Sequence, residues 1–200
     1  MLLDLRKGSE FIFNIMDKSF VSISPKNIKE NPIKLFGDDW AVVAAGNPDD
    51  FNELTVSWGA LGDAWWDNMP IAIIFVSATR YTQKYLEENE TFSINVFTKE
   101  YKKALAYIGS HSGRDEDKVA ATGLKVEFTD RNTPIFPESK LILECRKVYA
   151  HDLDRNRFSE SLIGNYAQKK FQGVVPHTVY FGEIINCWER KEDLKRTFCR

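Results

Sequence analysis

The chain has 200 residues, about one domain's worth and enough to bury a real core. With 43% hydrophobic and 28% charged residues, it is a globular chain, and collagen, coiled coil and disorder are excluded as descriptions. Lys and Arg number 27 against 29 Asp and Glu, a net charge of −2. The basic excess of a general nucleic-acid binder is therefore absent, and only a local basic patch for one phosphorylated ligand is left open.

Cys145, Cys187 and Cys199 are an odd set without a CxxC. They predict reduced thiols in a cytoplasmic protein, two of them buried and one in the tail, rather than a disulfide framework or a zinc ribbon. No apolar run approaches the roughly 20 residues of a membrane helix. Charges break the N-terminus before signal-peptide length is reached, and Met16-Asp17-Lys18 reads as an alternative start. Residues 1–15 are read either as an extension outside the fold or as a short amphipathic arm on a partner subunit. A single domain is expected over 16–190, with a charged, solvated tail at 191–200.

In chain order, Ser19–Ser24 alternates like a strand, and Ser24-Pro25 opens a short helix to Leu35. Asp39–Gly46 is a nearly continuous apolar strand. Asn47-Pro48-Asp49-Asp50 is a turn, and Glu53–Trp58 is a second, alternating strand. Gly59–Asn68, with two glycines and two tryptophans, reads as a loop. Pro70–Ser77 is a buried strand and Tyr81–Asn89 a helix. Thr91–Phe97 is a strand, Lys99–Ile108 a helix, and Asp115–Ala121 a helix closed by Gly123. Ser139–Asp152 is a long strand, an irregular segment runs to about Val175, and Thr178–Arg190 is the last strand. Strands are not followed regularly by long crossover helices, so a doubly wound parallel sheet is not expected. A mainly β protein with short helices, an antiparallel barrel closed or nearly so, fits better.

Three segments can carry chemistry. Asn52-x-x-Thr55-x-Ser57-Trp58-Gly59 ends a strand in a polar loop, where backbone amides and a tryptophan wall suit a flat heterocycle. Its plain alternative is a strand end with a core tryptophan. Ser77-Ala-Thr79-Arg80-Tyr81-Thr82 enters a helix, where free amides and a guanidinium suit a phosphate monoester. Its alternative is an ordinary capped helix with a solvated Arg80. Gly109-Ser110-His111-Ser112-Gly113-Arg114-Asp115-Glu116-Asp117-Lys118 gathers hydroxyls, an imidazole and cations between two helices. Its alternative is a polar turn. It is not a nucleophile elbow, since histidine stands at its centre. His111, His151 and His177 lack metal-ligand spacing, so no metal site is expected. Neither a Rossmann fingerprint nor a P-loop is present.

Taken together, these segments resemble the flavin reductase-like family, with flavoredoxins the nearest subgroup, over roughly Val21 to Arg190. Cys145-Arg-Lys-Val-Tyr-Ala-His-Asp-Leu153 and Tyr180-Phe-Gly-Glu-Ile184 resemble that subgroup as well. The resemblance implies a six-stranded antiparallel split barrel, the FMN-binding split barrel, forming a homodimer with FMN near the subunit interface. It implies that Asn52, Thr55, Ser57, Trp58 and Gly59 line the isoalloxazine, that Arg80, Tyr81 and Thr82 hold the phosphate, and that Ser110, His111, Ser112 and Lys118 complete the ribityl and phosphate side.

The expected function is an FMN-dependent oxidoreductase passing electrons from NADH or NADPH to an acceptor. The alternatives are an electron carrier docking a redox protein partner, or a non-enzymatic ligand-binding barrel. The flavin carries the chemistry, so no catalytic side chain is nominated. His111 is the one candidate titrating near neutral pH. The Trp65-Trp66 pair is expected either to pack at the dimer interface or to cap the site.

Overall fold

The computed structural model describes residues 19–65, 68–160 and 177–191. The strands begin with β1 (Phe20–Ser22), β2 (Ala41–Gly46), β3 (Phe51–Val56), β4 (Gly59–Ala64) and β5 (Met69–Ser77). They continue with β6 (Thr91–Val96), β7 (Glu127–Phe128), β8 (Pro134–Ile135), β9 (Leu141–Asp152) and β10 (His177–Arg190). The helices are α1 (Pro32–Lys34), α2 (Thr82–Glu88), α3 (Lys102–Ser110) and α4 (Lys118–Thr122). The N-terminal segment 1–15, Trp66, most of the irregular stretch before Val175, Cys199 and the tail beyond Lys191 lie outside the described residues.

One sheet runs β3-β2-β6-β9-β10-β5-β4, with β1 added on β10, and every neighbouring pair is antiparallel. Its eight strands correct the expected six. The end strands β3 and β4 are not paired with each other among the described residues, so the sheet is not a closed ladder. The extra strand β4 falls where a loop was expected. It hydrogen-bonds to β5 from Gly59↔Ile74 to Ala64↔Met69. As an edge strand, it carries no alternating apolar face to announce it.

The apolar run of β2 has a direct cause. Ala41, Val43 and Ala45 enter the main core, with Phe36, Ile74, Phe92, Ile94, Leu143 and Tyr180. Val42 and Ala44 point the other way, into a second core with Phe97, Leu105, Ile108, Leu124 and Phe136. A strand covered on both faces reads as continuous apolar sequence. Leu105 and Ile108 dock α3 on this second core, and each such burial stabilises by about 1.5–3 kcal/mol. Gly46 has φ of 126° and lets the chain turn into β3, and a β-carbon there would meet the Asp50 carbonyl. Asn47 Oδ1 closes that turn by accepting from the Asp49 and Asp50 amides at 3.0 and 3.3 Å.

The helices between the strands are shorter than expected at two places. Pro25–Leu35 divides into a 3-10 turn at Pro25–Asn27 and α1, which runs into a π-type turn at Leu35–Asp39. The helix expected from Asp115 begins at Lys118, because Asp117 caps it by accepting from the Ala120 amide at 2.9 Å. Cys145 and Cys187 are buried free thiols, and burial raises both, Cys187 to about 12. No helix among the described residues is long and apolar enough to cross a membrane.

Candidate functional site

The three motif segments converge at one end of the sheet. β3 brings Asn52, Glu53 and Leu54. The turn leaving β5 brings Thr79, Arg80 and Tyr81, and α2 starts with Thr82. The end of α3 and the turn after it bring Ser110, His111, Ser112, Gly113 and Arg114, and α4 starts with Lys118. These residues line a cleft of about 160 Å³. A larger cleft of about 300 Å³ lies elsewhere, around Lys29, Lys99 and Lys140. Its Lys140 is already paired with Glu30 at 3.0 Å and Asp39 at 3.7 Å, and it contains none of the motif residues.

Arg80 and Arg114 form the cationic rim. Arg80 Nη1 donates to the Gly109 carbonyl at 2.8 Å, tying the β5–α2 turn to the end of α3. Arg114 lies over the Tyr81 ring, 4.7 Å from its centroid, and its Nη1 donates to the Thr79 carbonyl at 3.4 Å. Each guanidinium thus keeps donors to spare, since a guanidinium carries five N–H groups. Tyr81 in turn meets Tyr85 edge-on, and the Tyr85 hydroxyl donates to Asp50 at 2.8 Å.

The inner wall is buried and polar. Asn52 Nδ2 donates to the Thr82 hydroxyl at 2.7 Å, so Thr82 joins β3 to α2 from a buried position. Lys118 and Glu53 are 3% and 2% exposed. Lys118 Nζ donates to the Glu53 main-chain carbonyl and stands 3.5 Å from Glu53 Oε1. That oxygen is within ion-pair range yet accepts no hydrogen bond. Burial pushes the Glu53 carboxyl up and Lys118 partly offsets it. Burial pushes the Lys118 ammonium down, against the pull of Glu53.

His111 is held from two sides. Its ring stacks on Tyr107 with centroids 3.8 Å apart, and Nδ1 donates to the Tyr107 carbonyl at 3.0 Å. Nε2 faces Glu116 Oε1 at 3.9 Å. Glu116 also accepts from the Tyr107 hydroxyl at 2.6 Å, which raises that phenol. Ser110 Oγ donates back to the Ala106 carbonyl at 2.9 Å.

The structure therefore brings together Asn52, Arg80, Tyr81, Thr82, Ser110, His111, Ser112 and Lys118. Thr55 sits beside the cleft: its hydroxyl donates to the Leu105 carbonyl at 2.6 Å and it packs under Gly109. Ser57, Trp58 and Gly59 lie outside the cleft lining, at the β3–β4 turn. Trp58 is exposed and lies 4.9 Å from the His177 ring. His177 pairs with Ser77, two residues before Thr79 of the cleft. Glu53 lines the cleft without having been singled out from sequence, and Thr79 and Arg114, which belong to the second and third segments but were assigned no contact, line it as well. Among the described residues, no group of three or more His, Cys, Asp or Glu side chains is placed to hold a metal ion.

The protein is thus an antiparallel β protein with short helices and a cationic cleft at one end of its sheet. Residues 34–200 match the flavin reductase like domain, and the chain belongs to that family. The fold is similar to flavoredoxin from Methanosarcina acetivorans, at 23% identity over 86% of this chain and 75% of that one, with a TM-score of 0.58. It is similar to an FMN-binding protein from Thermus thermophilus, at 20% identity over 84% and 76%, with a TM-score of 0.58. The NADH:FAD oxidoreductase of Streptomyces globisporus C-1027 follows, at 17% over 79% and 82%, with a TM-score of 0.56. No curated protein matches the chain.

Proposed function

We infer that the protein is an FMN-dependent oxidoreductase whose cleft takes the phosphate end of FMN. The observation that carries this reading is the pair of guanidiniums, Arg80 and Arg114, on the rim of one small cleft beside Lys118. A phosphomonoester dianion suits two forked donors. The volume, about 160 Å³, is below the roughly 300 Å³ at which small-molecule sites begin. The cleft therefore fits a phosphate and part of a ribityl chain, and the ring belongs outside it. The exposed Trp58, joined to this end of the sheet through His177, supports a ring position over the β3–β4 turn with Ser57 and Gly59.

When bound, FMN supplies the hydride and electron transfer. The chain's own residues bind and orient it. Arg80 and Arg114 neutralise the phosphate, Asn52 and Thr82 fix β3 against α2, and Ser110, His111 and Ser112 offer polar contacts along the ribityl side. NADH or NADPH is the proposed donor, a reading supported by the fold's likeness to an NADH:FAD oxidoreductase. The likeness to flavoredoxin supports the alternative of a carrier serving a redox protein partner. The proposed homodimer is supported by half-exposed Trp65, Val148 and Tyr149, with Trp65 and Tyr149 both edge-on to Phe181 at 5.7 and 5.6 Å.

The test is the absorption spectrum of the purified protein before and after addition of FMN and removal of the excess, followed by anaerobic mixing with NADH or NADPH. Retained flavin bleached by one nucleotide supports the reductase. Retained flavin that only a reduced protein bleaches supports the carrier. A protein that neither retains FMN nor oxidises NAD(P)H in its presence overturns the reading.

A further inference from the structure

The cleft holds one group that an anion site does not need: the carboxyl of Glu53. It is nine-tenths or more buried, lines the same cavity as the two guanidiniums, and has an oxygen, Oε1, with no hydrogen bond. Lys118 is its nearest cation, at 3.5 Å, and donates to the Glu53 main-chain carbonyl. Asp117 also acts on Glu53, while Arg80 and Glu116 act on Lys118. His111 and Arg114 complete the charged lining.

Among the charged groups that line the cleft Glu53 and Lys118 cancel each other, so Arg80 and Arg114 carry the excess positive charge there, with Asp117 and Glu116 outside the lining. A phosphomonoester dianion matches those two guanidiniums and leaves no cation over for a second anion. Glu53 ionised beside it would be a like charge in a poorly solvated site, where such a charge is driven to take a proton. Oε1 accepts no hydrogen bond that a proton would displace, and what protonation gives up is the ion pair with Lys118 at 3.5 Å. Lys118 lines the same cleft and, remaining charged, adds its attraction to the phosphate.

We propose that Glu53 is the proton acceptor of this anion site, so that a phosphomonoester dianion enters together with one proton. The step forms an O–H bond at the Glu53 carboxyl and breaks none in the protein. The proton comes from solvent, and the charge of the site becomes more positive by one. The inference rests on the FMN reading above and adds a pH-dependent affinity to it.

The experiment is titration calorimetry of FMN and of riboflavin into the whole protein near pH 8, in Tris and in HEPES, whose ionisation heats differ. There the FMN phosphate is already a dianion and an ordinary histidine is neutral. Wild-type protein should take up about one proton per FMN and none per riboflavin. The Glu53→Gln variant should take up none with either. Between about pH 8 and 9 the wild-type FMN affinity should fall up to about tenfold, while that of the variant stays flat.

FMN binding without proton uptake by the wild type overturns the proposal, and so does uptake that persists in Glu53→Gln. Failure of the wild type to bind FMN overturns the reading beneath it instead. Should Glu53→Gln not fold, 13C NMR of glutamate-labelled wild-type protein decides. One carboxyl must move to its protonated shift on addition of FMN, and no movement overturns the proposal.

Discussion

Gly113 lies directly against Asn52: a β-carbon built on Gly113 would stand 2.1 Å from Asn52 Oδ1. Asn52 is buried, and its amide holds Thr82 at 2.7 Å. The turn after α3 thus closes on β3 only because position 113 lacks a side chain. Gly113→Ala must displace Asn52 and its bond to Thr82. A cost of about 1–3 kcal/mol in denaturant unfolding is expected from such overpacking, with weakened FMN binding. An unchanged unfolding midpoint and FMN affinity would show that the turn yields freely.

Lys118→Met leaves the Glu53 carboxyl buried without its cation. Breaking a buried pair from one side costs about 3–5 kcal/mol, and urea unfolding near pH 7 should show a loss of that order. The double variant Glu53→Gln/Lys118→Met should recover most of it. A single variant as stable as the wild type would mean that the pair is not buried as described.

Arg80→Ala removes one guanidinium from the rim. Hydrogen bonds to charged groups contribute about 1.5–3 kcal/mol, so FMN affinity should fall roughly tenfold to a hundredfold. Riboflavin affinity should hardly change. Fluorescence titration of both flavins separates the phosphate contact from general damage, which would weaken both equally.

Tyr85 and Tyr180 give the fold an alkaline limit. Burial raises both phenols above their ordinary value of 10.0, with hydrogen bonds to Tyr81 and Asp50 adding for Tyr85 and one to Glu87 adding for Tyr180. The folded state therefore keeps protons that the unfolded state releases. That stability is fully present below about pH 10 and is lost as pH rises toward the folded values. Thermal unfolding should show a midpoint falling from about pH 10 upward, less so in Tyr180→Phe. A midpoint flat to pH 11 would contradict this.

The central strands were legible because burial on both faces leaves a continuous apolar run, as in β2. The lining of the candidate cleft was legible where its residues are contiguous, as in Ser110-His111-Ser112 and Arg80-Tyr81-Thr82. Glu53 was not, because one acidic residue in an alternating strand reads as solvent-facing. Only Lys118, distant in sequence and folded over it, makes that position a buried one. Arg114 was read within the third polar segment but given no role of its own, because its reach to Tyr81 depends on the packing of two separate loops. β4 escaped notice because its glycines and exposed edge carry no periodic signal. Asp115 looked like a helix start, but Asp117 takes the cap.

The most direct test of the account is the affinity of the purified protein for FMN against riboflavin, which differ only by the phosphate, measured by fluorescence quenching at low and high salt. The cleft of Arg80, Arg114 and Lys118 predicts FMN bound at least about tenfold more tightly, with the advantage shrinking as salt rises. Equal affinities, independent of salt, would contradict the assignment of this cleft to a phosphate.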